Sequence, residues 1–558
     1  MDCAENVIYP CLELRASATV SVLDAISEEV MQQLCLCLPG RELIRFSAAA
    51  RPLKELVSSS DAIWKRLVRA LLGEPYCHLH AALAAKANRI TDTEFWRTLF
   101  RHGQELRVAR WAPSLRSAFL GCSPGAQPDA EAAVEAAKER ASQAVVGSGH
   151  CSVGIGNRVV KIGGLRPSCD LEHLHAAIFD LTALTIHELE LTEDSQKPER
   201  RLRHAACEIR PAVTNSRPAV LVLGGCHDQT KQPCKGGLKL LHILELFDDK
   251  PALGRWHSLE AHGEAPAAIW HHICGAFASG TRVVVSGGDF PSSDPEFVHI
   301  TNRSVPASFV YLLDVMALSW ERVQTTGPAP TWRSLHAGFT HVDISSHSER
   351  LVILGGCAEH LPIFSSSDDL EHMIGHALDL RSFQWLPQPQ NRGSWSLPPA
   401  RLRLASEKIG EWLLLYGGRS SGDAIRERAR LFKLNLRTLA WDALEVRGRE
   451  GSHPAAPAAT MSAGLVIWGT VHRIRHPDGA RLDVLTLWSP DGESGADDGQ
   501  EEEPESEEED DSPRDAVSVL VRDSQGNARR MVLSRTMLQL LLARQARGGQ
   551  PGQSDDED

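Results

Sequence analysis

The chain has 558 residues, of which 42% are hydrophobic and 23% are charged, and its formal net charge is −13. This length exceeds one ordinary hydrophobic core and therefore predicts more than one domain. Thirteen acidic residues between Asp491 and Asp511, in a segment without lysine or arginine, account for the whole net charge. The neutral remainder argues against a nucleic-acid-binding protein, because such proteins normally carry a basic excess.

The cysteines and the hydropathy pattern indicate the cellular compartment in which the protein is expected. Thirteen cysteines are scattered without CxxC pairs, and no signal peptide leads the chain. An odd, unpatterned set of this kind predicts reduced thiols, so we expect a protein of the cytoplasm or nucleus. No apolar run reaches the ~18 residues that a membrane-spanning helix needs, and we expect no membrane partner.

The first predicted domain, residues 19–70, is a three-helix unit that follows an N-terminal tail, residues 1–18. Apolar residues recur there every three or four positions, which is typical of amphipathic helices. The first helical face, the turn after it and the late tryptophan are formed by Val30, Leu34, Leu38, Pro39, Gly40 and Trp64. A unit this small buries only a small core, so its surplus leucines indicate a partner surface.

This unit resembles the F-box. The matching positions are Ile26, Glu28, Glu29, Val30, Leu34, Leu38, Pro39, Leu43, Arg51, Leu56, Trp64 and Leu67. Ser27 and Leu53 depart from the pattern, since a proline and a tryptophan are usual there. The resemblance implies that a Skp-type adaptor binds Leu34, Leu38, Pro39, Leu43 and Trp64. The alternative is an ordinary helical bundle that packs on the next domain.

Residues 71–149 predict a helical connector. The segment DTEFWRTLF places Phe95, Trp96, Leu99 and Phe100 on one helical face, and an alanine-rich helix former follows it. We interpret the connector as a bracket that fixes the first unit relative to the next domain. The alternative is a flexible tether.

Residues 150–489 contain five short apolar runs that each end in a glycine doublet. The doublets end at Gly164, Gly225, Gly288, Gly356 and Gly418, which gives spacings of 61 to 68 residues. Repeats of this length, each with several strands and too small to bury its own face, predict a radial β-propeller. Paired glycines permit the close backbone approach that the narrow inner end of a blade requires.

A second pattern follows most of the doublets. An Asp or Asn precedes a large apolar residue by six positions in the pairs Asp314 and Trp320, Asp379 and Trp385, Asn435 and Trp441, and Asp180 and Ile186. Trp256 follows Asp248 by eight positions, which predicts a longer turn. Large rings are suited to the wide gaps between outer strands. Together with the doublets, this pattern resembles the kelch repeat.

The end of the repeat region predicts a sixth blade. Its strands are expected in GLVIWGT, residues 464–470, and RLDVLTLW, residues 481–488, with Val517 to Arg522 as the outer strand that closes the blade. Residues 490–514 then form an acidic disordered insert, residues 515–545 a closing strand and C-terminal helix, and residues 546–558 a disordered acidic tail. The alternative is that the late strand leaves the propeller. The expected fold class is multidomain α plus all-β, an F-box-like helical module followed by a six-bladed kelch β-propeller.

The combination of an F-box-like unit and kelch-like repeats implies a substrate-recognition subunit of an SCF ubiquitin ligase, with a Skp-type adaptor and a cullin scaffold as partners. The repeats are most similar to those of the plant blue-light F-box kelch family, but too few residues precede Ile26 for the LOV domain of that family. The substrate-binding loops are expected to use Arg166, Cys226, Asp289, Phe290, Cys357 and Arg419. The alternative is a non-catalytic kelch scaffold for cytoskeletal or signalling partners.

Catalytic, cofactor and metal sites are not expected. One histidine recurs at the start of most repeats, and its periodic position favours a structural role: His150, His204, His272 and His336. Four tyrosines are too few to suggest the copper site of kelch-like oxidases, and no segment has phosphate-loop spacing. We therefore expect no enzymatic activity in this polypeptide.

Overall fold

The structure is a computed structural model in which two compact units are formed by Met1–Glu493 and Ser494–Asp558. It describes residues 60–86, 91–105, 108–111, 149–164, 173–227, 232–250, 252–266, 268–291, 307–343, 348–356, 375–387, 405–409, 411–416, 431–447, 460–462, 466–469, 481–486, 516–522 and 528–534. The predicted tail, the first two predicted helices, the acidic insert and the segment 535–558 lie outside these residues.

Among the described residues, three helices precede the first strand: α1 (Asp61–Leu72), α2 (Glu74–Lys86) and α3 (Thr93–Glu105), followed by β1 (Val108–Trp111). The apolar face predicted for the connector lies on α3, and its four side chains are buried. They pack in one cluster with the buried face of α1, which includes Ile63, Leu67 and Val68. Within the predicted connector, residues 71–149, the described part is helical from 74 to 86 and from 93 to 105, but residues 108–111 form strand β1, which the helical prediction did not include.

Five blades follow, each built on four antiparallel strands that succeed one another along the chain. The first two blades contain β2 (Cys151–Ile155), β3 (Arg158–Ile162), β4 (Ala176–Asp180) and β5 (Thr185–Glu188), then β7 (Ala205–Ile209), β8 (Ala219–Leu223), β9 (Leu240–Leu246) and β10 (Leu253–Glu260). The third blade contains β12 (Ile273–Phe277), β13 (Arg282–Ser286), β14 (Phe309–Asp314) and β15 (Ser319–Gln324). Two short strands, β6 (Glu190–Leu191) and β11 (His262–Gly263), pair in parallel with β10 and β15.

The fourth and fifth blades contain β16 (Ala337–Asp343), β17 (Ser348–Leu354), β18 (His376–Asp379) and β19 (Gln384–Trp385), then β20 (Ala405–Ile409), β21 (Trp412–Tyr416), β22 (Phe432–Asn435) and β23 (Trp441–Ala443). The second strand of blades one, two, three and five is almost wholly buried, and in blade four the last four residues of β17 are buried, which matches the run of apolar residues in each. The innermost strands contact one another in chain order, from β2 through β7, β12 and β16 to β20. This radial arrangement of sheets is a β-propeller, as the repeats predict.

The turn between the third and fourth strands explains the six-residue spacing of the sequence. A side-chain oxygen of Asp180, Asp314, Asp379 or Asn435 accepts hydrogen bonds from the backbone N–H groups two and three residues further on. The next residue has a left-handed φ of 53° to 55° and is Leu184, Leu318, Phe383 or Leu439. Only a short oxygen-bearing side chain caps a turn in this way. The turn before Trp256 in blade two is longer, as predicted, and runs from Leu246 to Leu253.

The tryptophans on the outer strands fill the space between blades. Trp256, Trp320, Trp385 and Trp441 are each less than 5% exposed. The indole nitrogen of Trp320 donates to the Leu238 carbonyl of blade two, and that of Trp385 donates to the Ala307 carbonyl of blade three. Each of these two rings therefore links its blade to the preceding one, in agreement with the expected role of large rings.

A further sheet lies between blades five and one. It contains β24 (Glu445–Arg447), β25 (Thr460–Ser462), β26 (Val466–Gly469) and β27 (Arg481–Thr486) together with β1, in the order β24-β1-β27-β26-β25. Strand β25 contacts both β20 and β2. The predicted four-stranded blades are thus confirmed for five repeats, whereas this sheet recruits a strand from before the repeats.

The strand predicted to close the last blade has another partner. Residues Val517 to Arg522 lie in β28 (Ala516–Arg522), which pairs antiparallel with β29 (Ala528–Ser534) in the C-terminal unit. The neighbours of β27 are β26 and β1, so the position assigned to the late strand is occupied. That prediction was wrong because it took strand order in the sheet from chain order. The hairpin also places a strand at 528–534, within residues 515–545, for which the sequence predicted one closing strand and a C-terminal helix.

Candidate functional site

One end of the propeller carries the glycine doublets. Because neighbouring strands are antiparallel, the end of each second strand and the start of each first strand meet at this end. We call it the doublet face and define it by Gly163 to Gly164, Gly224 to Gly225, Gly287 to Gly288 and Gly355 to Gly356, with the residues that start the inner strands. The opposite end, which carries the Asp- and Asn-capped turns, is called the turn face.

The first glycine of each of the first three doublets packs closely against the next blade. Both glycines of every described doublet have left-handed φ values, from 60° to 104°. A Cβ atom at Gly224 would lie 2.5 Å from the Ile269 carbonyl oxygen and 2.7 Å from Cε1 of His272, both in blade three. At Gly163 the corresponding distance to Cε1 of His204 is 2.7 Å. Glycine is required because neither the backbone conformation nor the space admits a side chain.

The repeated histidines are the side chains that pack against the doublet glycines at these blade-to-blade contacts. His204, His272 and His336 are 6% to 8% exposed; the ring of each lies against the first glycine of the preceding blade, and its Cβ atom lies against the second glycine of its own blade. The ring nitrogens of His272 and His336 have no hydrogen-bond partner among the described residues. The structural role of these two histidines therefore depends on packing against glycine.

These histidines predict an acid-sensitive propeller. Burial lowers the pKa of His204, His272 and His336 from 6.5 to about 3. Between those pH values the unfolded chain binds protons that the folded chain excludes, so the free energy of unfolding is highest above about pH 6.5 and falls towards pH 3. Urea unfolding at pH 7 and at pH 4.5 measures the decline. The variant His272→Asn is expected to show a shallower decline, and an unchanged slope would contradict this origin.

A chain of backbone hydrogen bonds links the inner strands at the doublet face. The Arg203 N–H donates to the Gly149 carbonyl (2.8 Å), the His271 N–H to the Arg203 carbonyl (3.0 Å) and the Leu335 N–H to the His271 carbonyl (3.1 Å). Arg203, His271 and Leu335 all have left-handed φ values, from 55° to 60°. This conformation is uncommon for such residues and is found where the surrounding structure enforces it, often at functional sites.

The structure describes three of the six residues predicted to bind substrate, and all three are buried. Cys226 is inaccessible and forms two backbone hydrogen bonds with Leu202. Asp289 is 8% exposed, and its carboxylate lies 2.7 Å from Nδ1 of His271. Phe290 packs on Trp332 with ring centroids 5.7 Å apart. All three follow a doublet and lie at the doublet face, and their side chains are buried in it instead of projecting from it.

Of the other predicted site residues, only Trp64 lies within the described residues. Arg166, Cys357 and Arg419, like Leu34, Leu38, Pro39 and Leu43 of the predicted adaptor surface, lie outside the described residues. Trp64 lies on α1, is half-buried, and packs edge-on against Phe100 of α3 at 5.6 Å. Its ring therefore contributes to the helical core.

Three arginines of the doublet face were not among the site residues predicted from the sequence. Arg201 and Arg333 occupy equivalent positions, are 1% and 4% exposed, and donate to the carbonyls of Gly224 and Gly355. Arg203 stands two residues after Arg201 in the hydrogen-bond chain described above. The signal was available in the repeated Arg-x-x-His spacing, Arg201 to His204 and Arg333 to His336.

The helices pack against blade five. They share a buried cluster with Ile409 and Trp412, at the turn-face end of β20 and β21, and with Tyr416 and Leu431, at the doublet-face end of the same sheet. In blade two, burial raises the pKa of Glu208, near the turn-face end of β7, and the nearby carboxylate of Glu74 at the start of α2 adds to the rise. Among the described segments, α1 to α3 are the only helices of eight or more residues.

In the part of the chain that the structure describes, His, Cys, Asp and Glu side chains do not gather in groups of three or more that could hold a metal ion. None of the described helices is long and apolar enough to cross a membrane.

The blades, the doublets and their similarity to known proteins support a kelch-type propeller protein. No protein-family model matches the chain. It is 26% identical over 322 residues to acyl-CoA-binding domain-containing protein 4 of Arabidopsis thaliana, covering 57% of this chain and 40% of that protein. It is 25% identical over 228 residues to the Rab9 effector protein with kelch motifs of Mus musculus, covering 38% and 50%. The chain thus spans half or less of the length of each of these relatives.

Proposed function

We propose that this chain is a non-catalytic protein-binding scaffold that holds its partners at the doublet face of the kelch-type propeller. The observation that carries the proposal is the construction of that face, where residues with left-handed backbone are linked by hydrogen bonds from blade to blade at the start of the inner strands. Loops held on a rigid scaffold are a common basis for recognition. The rodent relatives, named as effectors of Rab9 with kelch motifs, are in keeping with a binding role.

Matched substitutions on the two faces test this proposal. Leu335 belongs to the doublet face and Met316, which is 45% exposed, to the turn face. We expect Leu335→Asp to reduce capture of partner proteins at least tenfold in quantitative affinity purification, because aspartate tolerates the left-handed backbone but places a charge in the interface. Met316→Asp is expected to leave capture unchanged. Equal effects of both changes, or loss with Met316→Asp alone, would contradict the assignment of the face.

The finer proposal is that the chain serves as the substrate-recognition subunit of an SCF-type ubiquitin ligase in the cytoplasm or nucleus. It is supported by the F-box-like pattern of residues 26–67 and by helix α1, which begins at Asp61 where that pattern expects its third helix. On this proposal the first helices bind a Skp-type adaptor, a cullin scaffold joins through it, and the doublet face binds the target.

Adaptor capture distinguishes the finer proposal from a scaffold without a ligase role. The double change Leu34→Ala and Leu38→Ala is expected to abolish binding of a purified Skp-type adaptor, because a few buried anchors carry most interface energy. Trp64→Ala is a poor probe, since Trp64 packs in the helical core. Failure of the unmodified chain to bind adaptor at micromolar concentration would favour the scaffold alone.

A further inference from the structure

Two free thiols meet where blade two adjoins blade three. Cys207 is the middle residue of β7 and Cys274 is the second residue of β12, and these two inner strands contact each other. Cys274 belongs to a buried hydrophobic core, and Cys207 packs against that core. The two thiols are hydrogen-bonded to each other, and neither is part of a disulfide.

The two thiols differ in their exposure to solvent. Cys274 is 8% exposed, whereas Cys207 is partly exposed, so a small oxidant reaches Cys207 first. The hydrogen bond to Cys274, together with burial, raises the pKa of the Cys207 thiol well above its usual value. Because the thiolate is the reactive form, a raised pKa slows oxidation at neutral pH. The pair is therefore expected to stay reduced unless exposure to an oxidant is sustained.

A third thiol lies nearby, but at a different contact between blades. Cys151 is the first residue of β2 in blade one and packs against a hydrophobic cluster formed by blades one and two. Burial raises the pKa of Cys151, and the thiol of Cys207 adds to the rise. Cys207 and Cys274 share both a hydrogen bond and a hydrophobic core, which makes them the pair best placed to form a bond.

We propose that a peroxide oxidises Cys207 and Cys274 to a reversible disulfide, which joins the inner strands of blades two and three. With hydrogen peroxide, the Cys207 sulfur attacks one oxygen; an S–O bond forms, the O–O bond breaks, and water leaves with the thiol proton. The Cys274 sulfur then attacks the sulfenic acid; the S–S bond forms, the S–O bond breaks, and a second water leaves with the Cys274 proton. The thiols lose two electrons to the peroxide, and a dithiol reductant reverses the reaction.

The disulfide is expected to stabilise the propeller. A cross-link between residues far apart in sequence restricts the unfolded chain, and disulfides have S–S lengths of about 2.05 Å that thiols already in contact can approach. We expect the unfolding temperature of the oxidised chain to exceed that of the reduced chain by about 3 °C or more. This inference goes beyond the proposed function and does not depend on where partners bind.

Oxidation of the full-length chain by hydrogen peroxide tests the proposal. After the reaction the protein is denatured, its remaining thiols are blocked with N-ethylmaleimide, and it is cleaved after glutamate without reduction. The fragments 200–208 and 265–296 each contain a single cysteine, so mass spectrometry assigns a link between them to Cys207 and Cys274. We expect this linked pair to be the main disulfide and to disappear after treatment with dithiothreitol.

Single substitutions connect the disulfide with the gain in stability. Cys207→Ser and Cys274→Ala are each expected to abolish the linked fragments and the rise in unfolding temperature. Cys151→Ser is the matched control, because Cys151 is also an inner-strand thiol near Cys207, and it is expected to keep both. The oxidised and reduced forms of the same variant are compared, so that any effect of the substitution on folding cancels. The fragment analysis of the unmodified chain stands even where a variant does not fold.

Four outcomes would overturn the inference. In the first, Cys207 and Cys274 both remain free after treatment with peroxide. In the second, Cys207 is linked to Cys151 instead of Cys274. In the third, the two thiols are converted to sulfinic acids that dithiothreitol does not reduce. In the fourth, the rise in unfolding temperature persists in Cys207→Ser, which would place its origin elsewhere in the chain.

Discussion

Replacing Gly224 by alanine is expected to lower the free energy of unfolding by about 3 kcal/mol or more. The new Cβ atom would lie 2.5 Å from the Ile269 carbonyl oxygen and 2.7 Å from His272, at a left-handed φ of 60°. Both neighbours belong to the next blade and are held by buried backbone, so the clash cannot be relieved locally. Chemical unfolding followed by tryptophan fluorescence measures the loss.

Gly156→Ala is the matched control for this substitution. Gly156 has a similar left-handed φ of 56°, but a Cβ atom there would have no neighbour within 4 Å. The control therefore carries the backbone strain without the clash, and we expect a loss of about 1–2 kcal/mol. Equal losses in the two variants would show that strain alone requires the glycine, and that the doublet does not lock neighbouring blades.

Breaking strand β1 is expected to destabilise the propeller strongly, although β1 precedes the repeats by about forty residues. Its residues pair with β27 on one side and β24 on the other. The double change Ala109→Pro and Arg110→Pro removes backbone donors from these ladders and leaves β27 as an open edge. We expect the free energy of unfolding to fall by about 3 kcal/mol or more.

The equivalent change in β28 provides the control. Val519→Pro and Leu520→Pro disrupt the hairpin of the C-terminal unit, where β28 pairs with β29. The C-terminal unit contains no tryptophan, so tryptophan fluorescence reports the first unit alone. We expect that transition to be unchanged in the β28 variant. The reverse result, a stable β1 variant and an unstable β28 variant, would restore the closure by residues 517–522 that the sequence suggested.

The repeats could be predicted because each piece of them has a local physical cause. The doublets mark left-handed backbone where blades meet, and the Asp or Asn six residues before Trp320, Trp385 and Trp441 caps a turn. Local causes of this kind produce a recognisable pattern in residues that are close together in the sequence. The closing strand could not be predicted in this way, because the pairing of β1 with β27 joins residues more than 370 positions apart and leaves no periodic signal.

The role of the loops after the doublets in binding stays a prediction, and the structure adds how the described loop residues are packed. The sequence indicated loops after the doublets, and Cys226, Asp289 and Phe290 do lie at that face. Their burial depends on contacts with Leu202, His271 and Trp332 in other parts of the chain, which the residues after a doublet do not reveal. Arg203 was missed for the same reason, since its part in the hydrogen bonds from blade to blade is a property of the assembled propeller.

The central claim, that partners bind the doublet face, is tested most directly by photo-crosslinking from the two faces. A benzophenone amino acid is introduced at Leu335 in one variant and at Met316 in another, and crosslinked proteins are identified by mass spectrometry. We expect adducts from position 335 that are suppressed by excess unmodified chain, and no suppressible adducts from position 316. Suppressible adducts from position 316 with none from position 335 would contradict the claim.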